Sequence, residues 1–270
     1  MSTIVQVHPS TTSTETRVSP SWLSTFHPGW FAAVMGTAVV GVVADLNPGN
    51  ITALEPVMHD IAIAMVALGY VFAVALGIPY VARWVVHPRA VLDDLRHPVV
   101  GALYATFPAG LLVLASATAT VGPLVFPAHT VSTVVAVLAI PGTILAVAIA
   151  VTFGFILFAT PNVDPQQASG GWLMPPVVTI VIPLALIPLI PGSGASMSRF
   201  LLASSYAAWG MGFLLFLLVA ALLYARHVYH PPPAFNLRPP SGLVSAPSVL
   251  GASRSSTWPR QQASFFRGRR

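Results

Sequence analysis

The sequence predicts an all-α membrane protein, a polytopic helical bundle with about six transmembrane helices. Of its 270 residues, 55% are hydrophobic and only 7% are charged, whereas a soluble globular chain carries roughly 25% charged residues. Apolar runs of roughly 18 residues or more recur along the chain, the length that a helix needs to cross the hydrocarbon of a bilayer. These runs are continuous rather than alternating in polarity, which indicates helices and argues against barrel strands.

Six spans are expected, joined by short connections that leave no room for a separate soluble domain. Their approximate bounds are 28–46, 57–86, 98–121, 128–159, 172–191 and 198–228. Taken in chain order, the six spans make three helical hairpins.

The two ends of the chain differ from the spans in composition. Residues 1–27 are polar, and they lack the basic segment and short apolar core of a secretory signal. We expect them to form a disordered cytoplasmic leader. Residues 231–270 are rich in Ser and Pro, contain six Arg and no acid, and are also expected to be disordered. Their Arg residues can hold the tail to anionic lipid.

The distribution of arginine predicts the topology. Arg83, Arg89 and Arg96 flank the second connection, 84–97, which is expected to be a loop. A further basic residue, Arg226, follows the sixth span on the same side, and only Arg199 lies on the other. Because cytoplasmic connections carry the excess of basic residues, we expect a cytoplasmic N-terminus in a bacterial-type inner (plasma) membrane.

The charged and metal-binding residue types exclude several classes of site. The chain has no cysteine, which excludes disulfides and thiolate metal sites. Its charges lie at or near span ends, whereas a carboxylate at mid-span would mark a proton or cation relay. Glu55 and His59 can share a helix face, but we expect an interfacial polar cluster there. We therefore expect no catalytic residue, no metal, no other cofactor and no nucleic-acid partner; the partners are membrane lipid and a small solute.

Proline inside the spans is the feature that points to function. Each such proline removes a helix hydrogen bond and frees a carbonyl, which is tolerated at membrane depth only within protein or along a watery cavity. Pro108 and Pro183 lie near the middle of odd-numbered spans, so the odd helices are expected to bend toward a central pathway. The alternative is that proline is simply commoner in membrane helices than in soluble ones.

Uncharged polar side chains in the odd spans are the other pathway candidates. Their hydroxyl groups can contact a passing anion, although Ser, Thr and Gly equally serve helix packing. The candidates are Thr37 with Gly36, Thr106 next to Phe107, and Thr179.

Three segments resemble one family of membrane proteins. Residues 27–37 (HPGWFAAVMGT) are similar to its opening helix. Residues 94–98 (DLRHP), followed by Phe107-Pro108, are similar to the start of its third helix, and residues 171–178 (GWLMPPVV) to its fifth. The family is that of tellurite-resistance/dicarboxylate transporters, which includes malate permeases, sulfite efflux pumps and slow-type anion channels. The match covers about 27–233.

The resemblance implies ten helices in five hairpins, with proline-kinked odd helices around a central pore, and commonly a homotrimer. It implies transport of a small anion, either a C4-dicarboxylate such as malate or an oxyanion such as sulfite or tellurite, without catalysis. Transferred by motif, the pore-side residues are Gly36, Thr37, Phe107, Pro108 and Pro183.

The sequence departs from this pattern after the sixth span, where the family continues into four more helices. We expect a frameshift or truncation to have replaced them, and no gate residue is assigned because the gate belongs to the ninth helix. Two alternatives to transport remain: a non-functional truncated membrane fragment, and a membrane redox or intramembrane enzyme subunit with a bound cofactor.

Overall fold

The computed structural model describes residues 22–49, 51–159 and 168–229. Within these ranges the chain forms eight α-helices and no strand, and short 3₁₀ turns extend several helix ends. The helices are α1 (Ala32–Leu46), α2 (Glu55–Val86), α3 (Pro88–Arg96), α4 (Pro98–Leu103), α5 (Thr106–Val121), α6 (Ala128–Ala159), α7 (Met174–Leu186) and α8 (Ala195–Tyr229).

The predicted set of six membrane spans is confirmed. Among the described residues, six helical stretches are long and apolar enough to cross a bilayer, and they make the chain a multi-pass membrane protein. These are Pro28–Leu46, Thr52–Val86, Val99–Leu124, Ala128–Ala159, Gly170–Leu189 and Ala195–Tyr229. The expected leader up to residue 21 and the tail 231–270 lie outside the described residues.

The spans pack as the three expected hairpins. The main partner of α1 is α2, that of α5 is α6, and that of α7 is α8, while α5 also lies between α1 and α7. The most apolar window is 61% buried in the third span and 44% buried in the fifth, against 17–28% in the other four. The third span is therefore the centre of the bundle. The first span, although odd-numbered, leaves a face uncovered.

The second connection is helical, so the prediction of a loop over 84–97 was wrong. Helix α2 ends at Val86, and α3 begins at Pro88 after the single residue His87. In α3, Val91 and Leu95 stand one helical turn apart, and Val91 is buried. This short apolar stripe stabilises an amphipathic helix in the segment that was expected to be a loop.

The third span is divided into two helices rather than continuous over 98–121. α4 ends at Leu103 and α5 begins at Thr106. Pro108 has no N–H to donate to the carbonyl of Tyr104, and that carbonyl instead accepts from the Phe107 N–H at 3.3 Å. The interruption therefore falls one turn before the proline. By contrast, Pro79 and Pro141 lie inside the uninterrupted helices α2 and α6.

Candidate functional site

Phe107 lies in an aromatic cluster beside the break in the third span. Its ring stacks on Tyr80, with centroids 4.6 Å apart and planes at 19°, and it meets the ring of Phe31 edge-on at 4.9 Å. Phe31 and Tyr80 are themselves in edge contact at 5.3 Å. Offset and edge-on pairs of this kind each add about 1 kcal/mol beyond area burial. The cluster joins the first, second and third spans around Phe107.

The predicted threonines donate to backbone carbonyls in this structure. The buried Thr106 hydroxyl lies 2.7 Å from the carbonyl oxygens of both Pro28 and Leu103, and thereby ties the start of the first span to the helix break. The Thr179 hydroxyl, also buried, donates to the Pro176 carbonyl at 2.8 Å. Thr37 donates to the carbonyl of Ala33. A hydroxyl has one proton to donate, so an anion would have to compete with these bonds.

Gly36 lies on the uncovered face of α1. It is exposed, whereas Val34 and Ala38 on either side of it are buried against the neighbouring helices. A Cβ atom added at Gly36 would meet nothing within 4 Å. Gly41, further along α1, is the opposite case, because an added Cβ would lie 2.7 Å from Val66 Cγ2. Gly36 is therefore not required for packing in this structure.

The predicted site residues fall into three groups by their exposure. Gly36 is exposed on α1. Thr37, Phe107 and Pro183 are half-buried, and Thr106, Pro108 and Thr179 are buried. Their assignment to an anion pathway stays a prediction.

A polar network around Arg83 was not anticipated from the sequence. Arg83 is 5% exposed. Its Nη2 atom contacts Asp94 Oδ2 at 2.6 Å, and its Nη1 donates to the Tyr104 hydroxyl and to the Phe26 carbonyl, both at 2.9 Å. Nε donates to the Ser24 carbonyl at 3.2 Å. The guanidinium thus joins α2, α3, the helix break and the segment before the first span.

Arg83 was interpreted from the sequence only as a topology marker, and its burial corrects that view. The helical spacing of Val91 and Leu95 could have revealed α3. The partner of Arg83 could not be chosen, because residues 83–96 contain three Arg and two Asp. A buried guanidinium needs a paired carboxylate, and in the structure Asp94 supplies it.

Two histidines cap the starts of odd spans. The His27 Nδ1 accepts from the Gly29 N–H at 3.1 Å, and the His97 Nδ1 accepts from the N–H groups of Val99 and Val100 at 3.3 Å. Burial lowers the pKa of His27 below its usual value; Asp94 opposes this shift and Arg83 adds to it. The His-Pro pairs at 27–28 and 97–98 thus begin the first and third spans with the same histidine cap.

The residues considered for metal binding do not form a metal-binding group in the described part of the chain. His59 Nε2 lies 3.6 Å from Asp45 Oδ1, which makes an interfacial pair between α1 and α2. Across residues 22–49, 51–159 and 168–229, no three His, Asp or Glu side chains come together as metal ligands.

The family model for voltage-dependent anion channels matches residues 25–256 of the chain. The chain belongs to this family. The resemblance of the three segments is thereby confirmed, and the family match extends further along the chain than the motifs do. A family of channels and transporters is consistent with the absence of a catalytic requirement.

Curated relatives of the chain are transporters. An uncharacterized transporter of Methanocaldococcus jannaschii is 29% identical over 78% of this chain and 58% of its own length. A second uncharacterized transporter of the same archaeon is 26% identical, over 79% of this chain and 60% of its own length. A sulfite efflux pump of Trichophyton rubrum is 23% identical, over 85% and 59% respectively. The chain thus spans about three fifths of the length of these relatives. No solved structure matches it significantly.

Proposed function

We propose that this protein moves small anions across the membrane along its odd-numbered spans, past the uncovered face of α1. The observation that carries the proposal is the family match, which covers all six spans. The structure supports it with a bundle in which α5 is central and the α1 face around Gly36 is open. No catalytic step and no cofactor is needed, because selectivity in such a pathway comes from diameter and electrostatics.

The charge distribution of the spans favours a neutral, hydroxyl-lined route over a charged binding site. The Asp, Glu, Arg and His side chains of the described spans lie close to span ends, as at Asp45, Asp60, Arg199 and Arg226. An anion in mid-membrane would therefore meet backbone dipoles and hydroxyls rather than a fixed counter-charge. Thr37, which is half-buried beside Gly36, is the pathway hydroxyl best placed to turn away from its backbone acceptor. Such a turn costs about 1 kcal/mol, the net worth of one hydrogen bond.

For the substrate, we propose an oxyanion such as sulfite or a C4-dicarboxylate such as malate. The fungal relative named a sulfite efflux pump supports the first choice. The proposal places the protein in a bacterial-type inner membrane with its N-terminus in the cytoplasm, because Arg89, Arg96 and Arg226 lie on that side. It also includes a homotrimer, which the size of the purified protein in detergent will test.

The test is anion flux into liposomes that contain the purified 270-residue chain. Uptake of labelled sulfite or malate that saturates, and that the unlabelled anion inhibits, supports the proposal. Flux equal to that of empty liposomes refutes it for this chain and favours the non-transporting fragment. A haem or flavin absorbance in the purified protein would favour the redox subunit instead.

A further inference from the structure

An apolar groove of about 460 Å³ opens between α2 and α6 over the break in the third span. Its floor includes the buried residues Ala102 and Tyr104. Its walls include Trp84 of α2 and Leu145 of α6, which are both exposed. α2 and α6 make little contact with each other, so the groove is the gap between two outer helices and faces the hydrocarbon of the membrane.

The shape and lining of the groove suit an alkyl chain. Its wall on α6 runs from Leu145 to Ile156, which at 1.5 Å per residue is about 16 Å, or roughly the depth of one bilayer leaflet. The lining is almost entirely aliphatic and aromatic. Its Tyr104 hydroxyl is already paired with Arg83 and Asp94. A small anion would find no counter-charge there, whereas a methylene chain gains contact along the full wall.

The end of the groove near the start of α4, next to α3, is polar. His97 lines it, and because its Nδ1 accepts from backbone N–H groups, the neutral ring carries its proton on Nε2. Arg96 adjoins His97, and its side chain is 79% exposed. The nearest acid, Asp93, is 4.0 Å away and equally exposed, so this surface pair holds Arg96 weakly. One hydrogen-bond donor, on His97, thus lines this end of the groove, and an exposed cation, Arg96, is its neighbour in the chain.

We propose that the groove binds one acyl chain of an anionic phospholipid, whose phosphate contacts Arg96 and the Nε2–H of His97. The occupant is a lipid rather than a second protein copy because the apolar wall leads into a basic, hydrogen-bond-donating end at the membrane surface. Burial of the acyl chain and attraction of the phosphate to the basic end then both stabilise the same bound lipid. The groove also borders Phe107, one of the pathway candidates, and the readout is therefore lipid retention rather than anion flux.

The test uses native mass spectrometry of the full chain, titrated in detergent with phosphatidylglycerol or phosphatidylcholine. Ala148→Phe fills the groove, and Val151→Phe is the matched control, because Val151 is exposed on the same helix but does not line the groove. We expect Ala148→Phe to weaken phosphatidylglycerol binding about tenfold and Val151→Phe to leave it unchanged. Ala148→Leu gives a milder filling change if Ala148→Phe fails to fold.

The headgroup contact is tested with Arg96→Gln. Removal of one basic contact, worth about 1 kcal/mol, should weaken phosphatidylglycerol binding about fivefold. Phosphatidylcholine binding should weaken less, because the choline cation offsets the charge of its phosphate. The proposal is overturned if folded Ala148→Phe and Ala148→Leu retain phosphatidylglycerol as the wild type does. It is also overturned if groove filling dissociates an oligomer without changing the lipid count, because a second copy would then occupy the groove.

Discussion

Replacement of Arg83 by methionine should destabilise the end of the bundle at the α2–α3 connection more than any other single charge removal. Arg83→Met keeps the aliphatic stem but deletes all four hydrogen bonds, two of them to backbone carbonyls. It leaves Asp94 with only the Tyr104 hydroxyl, at 3.1 Å.

The size of the effect follows from burial. Breaking a buried ion pair from one side costs about 3–5 kcal/mol. The Asp94 side chain is 29% exposed, whereas that of Arg83 is 6% exposed, so water can solvate the orphaned carboxylate in part. We therefore expect a loss of about 3 kcal/mol for Arg83→Met. Asp94→Asn, which keeps the volume but removes the charge, should cost about 2 kcal/mol.

The assay is unfolding of the detergent-solubilised protein by sodium dodecyl sulfate, followed by circular dichroism. The double variant Arg83→Met/Asp94→Asn should cost about 1–2 kcal/mol less than the sum of the single changes, since both remove the same interaction. Arg96→Gln is the matched control, because its surface ion pair contributes little. A loss below about 0.5 kcal/mol for Arg83→Met, or strictly additive single changes, would refute this account of the network.

Three further predictions concern the first span and the third hairpin. Gly36→Phe should reduce anion flux at least severalfold by occupying the open α1 face. Gly77→Phe on α2 is the control, because an added Cβ there also meets nothing within 4 Å, and it should leave the flux unchanged. Equal flux in the two variants would remove Gly36 from the pathway. Because the pKa of His27 is lowered by burial, the unfolded state binds more protons, so stability should fall as pH drops from about 6.5 through the folded pKa. His27→Asn, which keeps a capping oxygen, should weaken that acid sensitivity in the same unfolding assay. Gly212→Ala should lower the free energy of unfolding by about 1–3 kcal/mol, because its Cβ would lie 2.8 Å from the Pro176 carbonyl oxygen and against Thr179. Unchanged stability would contradict the close α7–α8 packing.

The fold could be predicted from the sequence wherever hydrophobicity alone decides. The six spans and their pairing follow from runs of apolar residues, and the observed bounds differ from the predicted ones by a few residues. The interruption near Pro108 was anticipated as a bend. Its position at Tyr104 could not be predicted, because it depends on which backbone N–H donates to the carbonyl that Pro108 leaves free, and the three-dimensional path of the chain decides this.

The parts that were missed depend on contacts between distant segments. The burial of Arg83 arises because α3 folds back to place Asp94 beside it, 11 residues further along the chain. A single sequence does not show whether a span-end arginine points to water or to a carboxylate. In the same way, Thr106 and Thr179 could be recognised as mid-span hydroxyls, but their backbone acceptors became visible only in the structure.

The most direct measurement of the central claim is thiol labelling at Gly36. The chain contains no cysteine, so Gly36→Cys and Gly77→Cys each carry a single reactive thiol. In proteoliposomes, Gly36→Cys should react with a membrane-impermeant, negatively charged methanethiosulfonate faster than with its positively charged analogue, and Gly77→Cys should react with neither. Equal behaviour of the two variants, or a preference of Gly36→Cys for the cationic reagent, would contradict an anion pathway along α1.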